Sequence, residues 1–215
     1  MDYEVVSSYL PALLKGLWLT LILTFVSMIA GTILGFVLAM MRLSRFPILG
    51  GIATLYGNLI RGLPLLIQIL LIYFGLPLLT GIRMPAVVAG GLALSLFTAG
   101  YMAEVIRSGI LGVDLGQMEA GRSIGFSYWQ SMRLIVLPQA FWTMIPNMAN
   151  QFSITLKDTS LVSVIGVADL TMAGQTIYAM NFDTIRVLAM VGTLYLLVFF
   201  AAERLSSFLE ARIRR

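Results

Sequence analysis

Arg61 is the only charged residue between positions 46 and 82, and Gly62 and Pro64 follow it directly. Pro64 cannot donate to the carbonyl of Ile60, and its ring disfavours helical geometry at Leu63, so the sequence predicts a helix that breaks beside a guanidinium. A planar guanidinium can grip a carboxylate with two parallel hydrogen bonds, or it can form an ion pair that holds helices together. Gln68, seven residues on and near the same helix face, can line the same cavity or hydrogen-bond a neighbouring helix. A second polar cluster is Lys157-Asp158-Thr159-Ser160. If it is buried, Asp158 can meet an ammonium, Ser160 can donate a hydrogen bond and Lys157 can neutralise a neighbouring carboxylate. If it reaches the surface, it is a solvated turn. Glu104 and Arg107, three apart, can pair across one helix face, which reads as structural first and as a gate second. With no Cys and no His, disulfides, thiolate nucleophiles, His general bases and almost every zinc or haem site are excluded.

These side chains matter because of what surrounds them. Of 215 residues, 59% are hydrophobic and only 11% charged, and the mean hydropathy is +0.94, so water is not the main solvent and a soluble enzyme is excluded. Stretches free of Asp, Glu, Lys and Arg run 16–41, 62–82, 84–103, 134–156 and 187–202. Most approach the ~20 residues that cross a ~30 Å hydrocarbon core, and runs of that length argue against buried core helices of a soluble protein. The expectation is an all-α polytopic membrane protein of five transmembrane helices, forming one domain over 1–215.

The second span can extend back to Gly51, which places Arg61 ten residues in, ~15 Å deep and near the midplane. A cation there costs about 2.5–3.5 kcal/mol on insertion scales. Broken helices at that depth are where transporters bind polar substrates. Pro77, Gly81 and Pro85 mark the turn to span three. The depth of 157–160 depends on where span four enters, and Pro138 and Pro146 can delay entry enough to leave Asp158 inside. Gly31 and Gly35, four apart in span one, have the spacing of a close helix contact. Trp18, Trp129 and Trp142 are expected near the interfaces.

Orientation follows from the basic residues. With the N-terminus outside, nine arginines (42, 45, 107, 122, 133, 204, 212, 214 and 215) are cytoplasmic and Lys15, Arg83 and Arg186 are not. The positive-inside rule therefore puts the N-terminus outside and the C-terminus in the cytoplasm. The net charge of +4 is read as this topology signal rather than as a nucleic-acid footprint. The opening Met-Asp-Tyr-Glu has no basic n-region, so a cleaved signal peptide is not expected.

Between spans three and four, about residues 107–132, lies a loop with its own helical pattern. Met118, Gly121 and Ile124 form a low apolar face, with Gln117, Glu119 and Arg122 wettable. Gly125 supplies a helix stop, and Ser127 with Gln130 has capping-box spacing for a restart. By pattern alone this is an amphipathic helix-turn-helix at the membrane surface, resting on headgroups or docking on a partner.

The residues Glu119-Ala120-Gly121, Gly125, Ile135, Leu137 and Pro138 resemble the loop by which permease subunits of ABC importers contact their ATPase subunits. Arg61-Gly62-Leu63-Pro64-Leu65-Leu66-Ile67-Gln68, Tyr101–Arg107, Gly116-Gln117-Met118-Glu119 and Lys157-Asp158-Thr159-Ser160-Leu161 are similar to the polar amino-acid permeases of that group, which include histidine, arginine and glutamine permeases. Gly121 replaces the usual Ala, and Leu63 replaces a common Thr.

The resemblance implies the transmembrane fold of a type I ABC importer in a bacterial inner membrane. It implies pairing with an identical or homologous second permease subunit, with an ATPase dimer below and an extracytoplasmic solute-binding protein above. Arg61, Gln68, Lys157, Asp158, Thr159 and Ser160 would then meet a polar amino acid, and Gln117, Glu119, Ala120, Gly121 and Gly125 the ATPase. The sequence has no Gly-Lys dipeptide and so no phosphate loop. ATP is therefore expected on a partner chain, with no cofactor or metal here. An ion-coupled secondary transporter would use a similar broken helix but should show two internal repeats, which five spans do not supply. An intramembrane hydrolase would lack its usual bases.

Overall fold

The computed structural model describes residues 3–213, with side chains from 8 to 208, and every regular element among them is helical. Side chains of the counted Arg212, Arg214 and Arg215 lie outside the described residues. Helix α1 (Tyr3–Leu43) is apolar almost throughout and runs ~60 Å. Helix α2 (Pro47–Gly62) starts on a proline suited to the first helical turn and ends at the Leu63-Pro64 break. The chain resumes as α3 (Leu65–Leu70), passes through a π-turn (Leu71–Gly75) and ends as α4 (Leu76–Thr80). Gly81, at φ 74°, closes α4 in the left-handed conformation that glycine adopts without penalty, and Pro85 opens α5 (Ala86–Leu111).

Two short helices, α6 (Leu115–Ser123) and α7 (Tyr128–Ser131), make up the loop. Helix α7 continues through a π-turn (Met132–Val136) into α8 (Leu137–Asp158). The π-turn lets Leu137 donate to Met132, so the helix axis continues although Pro138 has no N–H. A 3₁₀ segment (Thr159–Ile165), α9 (Leu170–Asn181) and α10 (Thr184–Ile213) complete the chain.

Among the described residues three helices are long and apolar enough to cross a membrane alone, at Ser8–Leu43, Ala86–Leu111 and Thr184–Phe208. Two broken pairs bring the number to five when each pair is one span. Helix α1 packs along α5, and the predicted glycines make this possible. A Cβ at Gly31 would lie 2.7 Å from Thr98 Cβ, and one at Gly35 2.7 Å from Met102 Cβ and 2.9 Å from the Ala103 nitrogen. Leu23, Leu65, Ile69, Ala93, Val162 and Ile165 form one buried core, and Ala39, Met102, Ile106, Met132, Val136 and Met144 a second.

The structure sharpens what the sequence predicts of spans two and four. Span two breaks at Leu63-Pro64 as expected, and α2 and the α3–α4 segment meet at 104°. Ala53, Tyr56 and Ile60 all meet α5 within residues 96–103, so α2 crosses α5 obliquely, and the climb along α5 is left to α3. Span four is longer than 134–156. It runs Tyr128–Ile165 and, after a 50° bend, adds α9, which lies outside the five runs named above. The prolines at 138 and 146 both sit inside one continuous helical path.

Candidate functional site

Pro64 leaves the Ile60 carbonyl without its helical donor. Gln68 replaces it. This side chain is buried, and its Nε2 donates to Ile60 O at 2.7 Å and to Leu63 O at 2.9 Å. Both amide hydrogens are thus used to close the break. Arg61 is exposed, and its Nε donates to Gly57 O at 3.1 Å, which lays the side chain back along α2. Gly57 makes room, since a Cβ there would already touch Arg61 Nη2 at 3.5 Å. No described residue forms an ion pair with Arg61.

The 157–160 cluster straddles the end of α8 and the start of the 3₁₀ segment. Thr155 Oγ1 lies 3.3 Å from Thr98 Oγ1, level with the middle of α5. Asp158, three residues farther, is therefore ~5 Å beyond that level. Its carboxylate is half-buried and forms no ion pair among the described residues. Lys157 points away, with Nζ 5.6 Å from the centre of the Phe199 ring on α10, a cation–π geometry. The Ser160 hydroxyl donates to Lys157 O and the fully buried Thr159 hydroxyl to Leu156 O, so both serve their own helix.

The structure brings the two clusters to one seam without joining them. Leu65 and Ile69 of α3 pack on Val162 and Ile165 of the 3₁₀ segment, so Arg61 and Asp158 flank the same contact. They make no ion pair with each other. Glu104 takes both Arg42 and Arg107, tying the end of α1 to α5. The expected i,i+3 pair is present, and Arg42 is the partner that the sequence did not reveal.

The sequence reading also missed a polar stripe on α8. Thr143, Asn147, Asn150 and Lys157 recur at helical spacing and are exposed, although their helix belongs to an apolar bundle. Polar side chains at membrane depth face protein or water rather than hydrocarbon. A cavity of about 220 Å³ between α8 and α10 adjoins the stripe, lined by Asn150, Ser153 and Glu203 among others. The signal was available as the 143–147–150 periodicity. Asp169 was missed as well: fully buried, it caps α9 through the amides of Thr171 and Met172.

In the loop, Asp114 caps α6 and Gly125, at φ 93°, ends it. The amides of Gly125 and Phe126 bond back to Arg122 O and Gly121 O, which is a Schellman closure. Ser127 and Gln130 form the expected reciprocal capping box. The expected outward face at 118, 121 and 124 is divided instead. Gly121 is buried against its own chain, where a Cβ would lie 2.6 Å from Ser131 Oγ and 2.8 Å from Ile135 Cδ1. Its small size serves the seating of α6 on α7 and the following π-turn. Gln117 Oε1 accepts from Gln139 Nε2 at 3.1 Å, a second tether. Leu115, Glu119, Ala120 and Ile124 remain exposed.

Residues 31–215 match the family model described as binding-protein-dependent transport system inner membrane component. A Bacillus subtilis probable amino-acid ABC transporter permease protein, YckA, is 37% identical over 94% of this chain and 89% of its own length. The arginine transport system permease ArtQ of the same organism is 36% identical over 91% and 89%. The glutamine transport system permease GlnP of Escherichia coli is 32% identical over 99% and 98%. The crystal structure of an amino acid ABC transporter with histidines superposes at a TM-score of 0.92, with 37% identity over 99% of both chains. An inward-facing MetNI methionine ABC transporter, 20% identical at a TM-score of 0.77, shares the fold. With the family model matched over residues 31–215 and relatives of 32–37% identity aligned over nearly its whole length, the chain belongs to the family of binding-protein-dependent transport system inner membrane components.

Proposed function

We propose that this chain is the permease subunit of an ATP-driven importer of polar amino acids. Its N-terminus faces outside and its C-terminus the cytoplasm, and a like subunit completes the pore. An extracytoplasmic binding protein delivers the solute, and ATPase subunits dock on the 107–132 loop. The observation that carries this reading is mechanical continuity: one helical path from Tyr128 to Asp158 joins the loop to the polar cluster. Its ~45 Å length reaches from one membrane face past the midplane. A push on α6, seated through Gly121 and Gln117, is delivered to the end of α8, where Asp158 and, across the seam, Arg61 stand. Arg61 receives the substrate carboxylate and Asp158 its ammonium, while rocking of the helices exposes the seam to one side and then the other. Gln68 supports the site by holding the broken helix in shape.

The test is reconstitution of the permease pair with its ATPase and binding protein in vesicles, followed by ATPase assays across an amino-acid panel. Stimulation by one or a few polar amino acids, with uptake into the cytoplasmic-equivalent compartment, is expected. Stimulation by none of them, or uptake driven by an ion gradient without ATP, overturns the reading.

A further inference from the structure

A cavity of about 620 Å³ opens where the turn between α1 and α2 faces the 107–132 loop, well away from the seam of Arg61 and Asp158. Two guanidiniums from separate elements line it: Arg45 on the turn and Arg122 in the last turn of α6. Neither forms an ion pair among the described residues. The position of Arg122 also suits the negative end of the α6 dipole, but that does not account for Arg45. Apart from Ser44 and the Tyr128 hydroxyl the rest of the lining is apolar, with Met40 and Met132 as floor and Phe46 and Trp129, each 68% exposed, at the mouth. From Phe46 the exposed apolar surface continues onto Ile48 and Ile52 of α2, at 76% and 53% exposure.

A charged rim over an apolar floor suits an anion that carries hydrocarbon. We infer that this cavity binds the headgroup of an anionic phospholipid, its phosphate between Arg45 and Arg122 and its glycerol and upper acyl carbons over Phe46, Trp129 and the two methionines. Guanidinium is the side chain best shaped for a phosphate, through paired hydrogen bonds. The cavity lies within the range of small-molecule pockets. It also lies where α1 ends, at the membrane face to which the arginine count assigns the cytoplasmic leaflet. That leaflet carries the anionic lipids, and basic residues at its surface strengthen binding several-fold each. A soluble phosphate would use the arginines but leave the apolar floor and its continuation onto α2 without a role.

The test uses the permease–ATPase complex in nanodiscs, with W18F and W142F leaving Trp129 as the reporter. The probes are dibrominated phosphatidylglycerol and dibrominated phosphatidylcholine, titrated separately into a phosphatidylcholine background. Quenching by the anionic lipid is expected at an apparent affinity on the order of tenfold tighter, reflecting two arginines. R45Q/R122Q should bring the two lipids together, and R45K/R122K should keep part of the difference. R45Q alone, at an exposed turn, tests the site if the double variant does not assemble. Equal quenching by both lipids, or a preference unchanged in the glutamine variants, overturns the proposal. So does complete displacement by inorganic phosphate, which would make the ligand a soluble anion, or a preference seen only without the ATPase, which would make the cavity its docking socket.

Discussion

Arg61 and Gln68 sit on one broken helix and do different work. Gln68 spends both amide hydrogens on carbonyls at the Pro64 break, so Gln68→Leu should strand two part-buried acceptors. An unsatisfied buried acceptor costs about 1–3 kcal/mol. The expected result is a lower melting temperature of the purified complex, with ligand affinity in the surviving fraction little changed. Arg61 holds only a single bond to its own helix and remains exposed, so its removal should act on ligand. Arg61→Lys keeps the charge without the fork and should weaken binding, and Arg61→Ala should weaken it further. Asp158→Asn should cost more for the amino acid than for its deaminated analogue, which has no ammonium to lose. Calorimetric titration of the purified complex measures all of these. Unchanged affinity in the Arg61 and Asp158 variants would leave both residues with structural duties alone.

The elements divide into those written locally and those written by their neighbours. Gly125, Ser127 and Gln130 announced the loop's stop and restart because a left-handed closure and a capping box involve residues a few positions apart. For the same reason Gly125→Leu has a foreseeable effect. A side chain at φ 93° is strained by about 1–2 kcal/mol, and Gly125→Asn by less. The leucine variant should insert normally yet show ATP hydrolysis that no longer responds to substrate, and normal coupling in that variant would dissociate the loop from energy transfer. The role of Gly121 was not legible, because its contacts at Ser131 and Ile135 exist only once α7 folds back under α6. Pro64 told where span two breaks but not that the pieces meet at 104°, since the angle is set by packing on α5. Helix α9 escaped notice because Thr171, Gln175, Thr176 and Asn181 dilute its hydrophobicity. It is held instead by the Asp169 cap and by Gly16 of α1, where a Cβ would lie 2.8 Å from Asp169 O.

For the whole molecule, the order of contacts along α5 fixes how many times the chain crosses. Gly31 and Gly35 of α1 meet Thr98 and Met102, numbers rising together, so α1 and α5 run parallel. Two parallel neighbours require a return between them, which makes the sharply broken 47–80 segment a crossing and not a re-entrant loop. Helix α8 meets α5 in falling order, Met144 at Gly109, Thr155 at Thr98 and Val162 at Gly90, so it crosses back. Helix α10 opposes α8 in turn, with Phe199 beside Lys157 and Glu203 lining the same cavity as Asn150. Five crossings would put the two ends of the chain on opposite faces, and the proposed orientation, drawn from the arginine excess, puts the 107–132 loop in the cytoplasm. Single cysteines in this Cys-free chain test the count and the assignment together. An impermeant thiol reagent applied outside sealed cells should label positions 81 and 182, the exposed turns before α5 and α10, and spare 46 and 117 until the cells are opened. If the broken pairs were re-entrant, 46 and 81 would label alike and so would 117 and 182. Labelling of 46 and 117 alone from outside would keep the five crossings and reverse their direction.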